Sequence, residues 1–119
     1  MSEDKSPVCS LGEKHCKPCE GGVLKLERRA AEELLRDLGE TWELNDSCTE
    51  ITRDFRFGDF YKTIAFVNAV AWIANREDHH PDLEVGYRHC RIRYTTHELG
   101  GLSENDFICA AKIDALVEN

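Results

Sequence analysis

The sequence has 119 residues, 41% hydrophobic and 32% charged, a length suited to one domain and a composition in the globular rather than the disordered range. Lysine and arginine number 15 against 23 acidic residues, a formal net charge of −8; such a surface repels phosphate backbones and anionic lipid, which disfavours a direct nucleic acid or membrane partner. No window approaches the ~20 apolar residues of a membrane span, and the opening Met1-Ser2-Glu3-Asp4-Lys5 lacks the layout of a signal peptide, so a cytoplasmic location is expected.

Residues 1–22 are polar, carry Pro7, Pro18 and Gly21-Gly22, and show no apolar period. They read as an irregular leader with a Cys-x-x-Cys, followed by a single domain over 23–119. From Glu27, the residues Ala31, Leu34, Leu35 and Leu38 fall at helical spacing and Gly39 stands where a C-terminal cap belongs. Trp42 to Leu44 and Ile51 to Phe57 flank the turn Asn45-Asp46-Ser47, and Ile51, Arg53, Phe55 and Phe57 alternate with Thr52, Asp54 and Arg56, which predicts a β-hairpin. Between Asp59 and Asn75 a wide apolar stripe predicts the central, most buried helix. Leu83 to Val85 and His89 to Thr95, joined through Gly86-Tyr87-Arg88, form a second hairpin with Cys90, Ile92 and Tyr94 on one face. After Gly100-Gly101, Ser103 and Asp106 form a candidate capping box for a last helix whose apolar side is Phe107, Ala110, Ala111, Ala115 and Leu116. The order α-β-β-α-β-β-α, with hairpins rather than crossovers, predicts an α+β fold: a four-stranded antiparallel sheet with three helices packed on one face.

The chemistry concentrates at Asp78-His79-His80-Pro81-Asp82. Imidazole, with an unperturbed pKa of ~6.5, transfers protons in both directions near neutrality. Pro81 biases His80 to an extended backbone, so the two rings of an extended His79-His80 point to opposite sides and have different jobs. A hairpin that starts just after His80 and ends just before His97 returns the chain to its origin, which lets three imidazoles line one pocket. Adjacent histidines lack the helical spacing that converges on a metal ion. Cys9, Cys16 and Cys19, beside His15, are the one weak candidate metal group, with no second Cys-x-x-Cys at zinc-ribbon distance. Cys48, Cys90 and Cys109 sit singly in periodic segments and read as buried thiols. Trp42, Phe55, Phe57 and Phe60 read as core, and no phosphate loop or nucleophile elbow is present.

The run His79-His80-Pro81, with Tyr87, His97 and Asp106 at their spacings, resembles pterin-4a-carbinolamine dehydratase. The likeness extends through Ile51-x-Arg53-x-Phe55-x-Phe57-x-Asp59-Phe60, Phe66-x-Asn68-x-Val70-Ala71, Thr96-His97-Glu98 and Gly101-Leu102-Ser103, and so covers nearly everything from Trp42 onward. Asn75 departs from it, standing where the family motif usually begins with an ionisable residue. The resemblance implies the same four-stranded fold and an enzyme that removes water from 4a-hydroxytetrahydropterin, giving quinonoid dihydropterin in tetrahydrobiopterin recycling. It implies His79, His80 and His97 as catalytic residues, with His79 and His97 moving protons and His80 placing substrate. Asp78, Thr95, Thr96 and Glu98 would line the pterin pocket, with Asp106 in support. It further implies no required cofactor, a homodimer or homotetramer, and an aromatic amino acid hydroxylase as the supplying system. The rival it carries is a non-catalytic protein-interaction module of the transcriptional dimerisation-cofactor type, disfavoured by the presence of all three histidines.

Overall fold

The computed structural model describes residues 11–18 and 22–118. Helix α1 (Arg28–Asp37) starts after an extended Glu27 and stops at Gly39, whose φ of 79° is the left-handed conformation a glycine adopts without a Cβ penalty. Strands β1 (Glu43–Leu44) and β2 (Ile51–Arg56) lead to helix α2 (Phe60–Glu77), followed by β3 (Asp82–Val85) and β4 (His89–Tyr94). A short 3₁₀ turn (His97–Leu99) precedes helix α3 (Glu104–Asp114). All pairings are antiparallel in the order β1-β2-β4-β3, the α+β architecture expected from the sequence, with one further helical stretch at residues 11–13.

Register decides which side of the sheet is covered. Ile51 pairs with Tyr94, Phe55 with Cys90 and Leu83 with Ile92, so one face presents these side chains to the helices, where Phe66, Val70, Ile73, Phe107 and Ile108 complete the core. Phe55 packs against Phe66 of α2 with ring centroids 4.7 Å apart, and Trp42 meets Phe55 and Tyr94 at 6.0 and 6.5 Å. The opposite face aligns Asp82, Glu84, Arg91, Arg93 and Asp54; Arg93 lies 3.8–3.9 Å from Glu50, Asp82 and Glu84, an exposed charge cluster of small energetic weight.

Three expectations are corrected. The helix over Phe60–Glu77 is not the most buried: six of its eighteen residues are buried, whereas in α3 the figure is nine of eleven. The periodic stripe of α2 is wider than the sheet can cover, so Phe60, Tyr61 and Trp72 stay exposed, and Phe60 therefore stands outside the core. In α3, Ala115 and Leu116 lie past the helix end and are exposed, while the core contact comes from Phe107, Ile108, Ala110, Ala111 and Ile113.

The segment before Val23 also contributes to the core. Leu11 is buried in it, Lys112 Nζ donates to the Gly12 carbonyl at 2.8 Å, and Lys14 pairs with Glu104 at 2.7 Å. One apolar residue and a set of backbone bonds carry the docking, and neither leaves a period in the sequence.

Candidate active site

The histidine segment is aimed by the end of α2. Asp78 caps the helix in the left-handed conformation (φ 54°, ψ 43°), which short polar side chains tolerate better than most. The His79 N–H donates back to the Ala74 carbonyl at 3.1 Å. This sharp turn sends His79 inward and leaves His80 exposed, the opposed pair expected from the extended backbone before Pro81.

His79 is 7% exposed. Its Nε2 lies 2.6 Å from Asp106 Oδ1, and its ring stacks on Tyr94 at 5.4 Å with an interplanar angle of 8°. Because an ionised carboxylate only accepts, the arrangement places the imidazole hydrogen on Nε2. The other Asp106 oxygen accepts from Thr96 Oγ1 at 2.8 Å and from the Ser103 N–H at 2.9 Å. The capping box forms, and the same carboxylate that closes it also holds His79. Burial pulls the His79 pKa down, but the Asp106 hydrogen bond and charge outweigh it, and the net direction is up.

A cavity of about 670 Å³ opens beside this pair. It is lined by His79, His80 and His97 together, with Asp78, Thr95 and Glu98; the β3–β4 hairpin returns the chain as the sequence suggested. Thr96 differs from the expected wall position. It is wholly buried, and its hydroxyl is committed to Asp106 and to Ser103 Oγ at 2.8 Å, one layer behind the cavity surface.

The remaining walls carry residues that no motif singled out for this role: Arg76 and Glu77 at the end of α2, and Cys16, Lys17 and Pro18 from the leader. Glu77 is buried and holds that strap, accepting from the Cys16 N–H at 2.8 Å and meeting His15 Nδ1 at 3.0 Å. Burial raises its pKa, yet these donors and Lys112 outweigh it and the net direction is down. Asn105 grips the next residue at both ends, its Oδ1 accepting from the Lys17 N–H at 3.0 Å and its Nδ2 donating to the Lys17 carbonyl at 2.8 Å. Cys9 and Cys19 lie outside the described residues, and among the described residues no group of three or more His, Cys, Asp or Glu is placed to hold a metal ion. No helix among them is long and apolar enough to cross a membrane.

A sequence model of the family described as pterin 4 alpha carbinolamine dehydratase matches residues 24–116. A relative from Nitrosomonas eutropha, provisionally named pterin-4-alpha-carbinolamine dehydratase, is 57% identical over 110 residues, 92% of this chain and 96% of its own. One of the same name from Legionella pneumophila strain Corby is 54% identical over 107 residues, 90% and 95% of the two chains. Among solved structures, a transcriptional coactivator/pterin dehydratase from Brucella melitensis superposes with a TM-score of 0.74 at 32% identity, covering 79% of this chain and 99% of its own. A pterin dehydratase-like protein described as a RuBisCO assembly factor in the alpha-carboxysome gives 0.58 at 26% identity, covering 66% and 92%.

Proposed function

The chain belongs to the pterin 4 alpha carbinolamine dehydratase family, and from that premise we propose that it removes water from 4a-hydroxytetrahydropterin by histidine acid–base catalysis. The observation that carries the reading is the convergence of His79, His80 and His97 on one cavity, with Asp106 behind His79. The reaction breaks the C4a–O bond, with a proton added to the departing hydroxyl and one lost from N5, so that the electron pair of the N5–H bond becomes the new ring double bond. Both events are proton transfers, which is why the proposal includes no metal or redox cofactor.

With Nε2–H committed to Asp106, Nδ1 is the nitrogen of His79 left for substrate, and the carboxylate strengthens it as the base that takes the N5 proton. His97, exposed at the start of the 3₁₀ turn, serves as the acid toward the hydroxyl, and His80 places the pterin. Asp78, Thr95 and Glu98 supply polar wall contacts. Replacing His79 or His97 by Gln removes a titrating group and lowers kcat by ~10²-fold, whereas His80→Gln raises KM with a smaller loss of kcat. His89, on β4 away from the cavity lining, is the internal control, and His89→Gln leaves turnover of freshly generated carbinolamine unchanged. Equal, small effects at all four positions would instead favour the interaction-module reading, which the assembly-factor neighbour brings into view.

The proposal extends to self-association. Tyr61 and Trp72 on α2 are 82% and 62% exposed, with Phe60 and Tyr87 nearby, a surface whose apolar weight fits a homodimer or homotetramer. Pterin supply by a hydroxylase and a cytoplasmic location belong to the same reading.

A further inference from the structure

Cys16 and Cys109 are separated by 93 positions in sequence, yet their sulfurs lie 3.5 Å apart. Cys109 is wholly buried on α3, whereas Cys16 is half-buried, sits on irregular backbone and lines the cavity. The two-point Asn105 clamp on Lys17 and the Glu77 bond to the Cys16 N–H fix the backbone on either side of Cys16, and its thiol also approaches the Asn105 carbonyl at 3.6 Å. Asn105 is itself 2% exposed, so this positioning is built into the core. A disulfide needs ~2.05 Å between sulfurs; the remaining approach of roughly 1.5 Å falls to the irregular segment rather than to the helix.

We propose that Cys16 and Cys109 form a reversible disulfide site, opened to the cavity through Cys16 and closed by exchange with a low-molecular-weight disulfide. In the first step the Cys16 sulfur displaces one thiol from the reagent, its own proton leaving with that thiol, to give a mixed disulfide at Cys16. In the second, Cys109 attacks the Cys16 sulfur and the second thiol departs with the Cys109 proton. Two protein thiols are oxidised by two electrons, one reagent disulfide is reduced to two thiols, and a thiol reductant reverses the sequence. Closure covalently pins the strap that forms one wall of the cavity. Such exchange is the form that cytosolic disulfides ordinarily take, transient and responsive to redox state.

The competing partner for Cys16 is Cys19, three residues away in the Cys-x-x-Cys, so the test must identify the bond. The full chain, reduced and then incubated with excess glutathione disulfide, is acid-quenched, alkylated and analysed by intact mass and peptide mapping. The expected product yields a linked peptide pair containing Cys16 and Cys109, two hydrogen atoms lighter than the separate thiol peptides and with no glutathione on either; it persists in Cys19→Ser. In the Cys19→Ser background, Cys109→Ala is expected to stop at a stable glutathione adduct on Cys16, and Asn105→Ala to slow closure by ~10-fold because the strap loses its clamp. A Cys16–Cys19 bond, or a Cys109 that stays alkylatable on unfolding after oxidation, would overturn the proposal. The readout is mass, so it stands or falls separately from dehydratase turnover.

Discussion

Helices α2 and α3 lie side by side on the same sheet and do opposite work. α2 is the longer and carries more large apolar side chains, yet it leaves Tyr61 and Trp72 in solvent. α3 is shorter and almost wholly buried, and four of its inward side chains are polar or weakly polar. Asp106 holds His79, Asn105 and Cys109 hold the strap, and Asp114 accepts from Trp42 Nε1 at 2.9 Å and pairs with Arg53 at 2.7 Å. A helix of apolar residues can thus face outward while one studded with hydrogen-bonding groups becomes the centre of the fold. What decides is whether each side chain meets a partner. For α2, each bare aromatic forgoes about 2 kcal/mol of burial.

The contrast can be broken first at Asp114. Removing it in Asp114→Ala strands the Trp42 N–H and the Arg53 guanidinium, and should cost about 3 kcal/mol in chemical denaturation; a loss below about 1 kcal/mol would show that water replaces the carboxylate and that α3 is not held by its polar contacts. Next comes Asp106→Asn, which keeps size but removes the charge behind His79. Turnover should fall by ~10²-fold while KM moves little, with the melt shifted by a few degrees.

The third test is pH. Folding raises the His79 pKa above its ordinary 6.5, so the stability it brings is fully present below that value and is lost as pH rises through the folded pKa. Glu77 is lowered from 4.5, so its contribution is present above that value and is lost as pH falls through the folded pKa. Melting against pH should therefore weaken at both ends. Asp106→Asn should remove the alkaline arm and Glu77→Gln the acid one; survival of both arms would assign them to other groups. The smallest effect belongs to α2. Trp72→Glu should change the intrinsic stability of a protomer by no more than about 0.5 kcal/mol yet shift light scattering toward a monomer, and an unchanged particle mass would move the interface elsewhere.

Periodicity made the elements legible: the wide α2 stripe, the alternation in β2 and β4, and the Ser103–Asp106 cap all place residues within a position or two of where they stand. The His79-His80-Pro81 segment and the return of the hairpin to His97 were legible as well, because parity and loop length constrain geometry directly. Three features were not. That Thr96 sits behind the wall depends on how its hydroxyl is shared between Asp106 and Ser103, a tertiary fact with no local pattern. Asp106 closes the Ser103 cap and holds His79 at once, and the capping-box spacing records only the first of these. The docking of Cys16 and Lys17 rests on hydrogen bonds to Glu77 and Asn105, 61 and 88 positions away, which neither composition nor period records.

That docking also bears on the order in which the protein can mature. Gly12, Cys16 and Lys17 leave the ribosome early, but Lys112, Cys109 and Asn105, which receive them, are 88 to 100 positions further along. At a synthesis rate of about 5–20 residues per second, the strap waits on the order of 5 to 20 seconds for its partners. Throughout that interval the Cys16 thiol is without its native neighbour Cys109, and the cavity wall it belongs to has nothing to dock on.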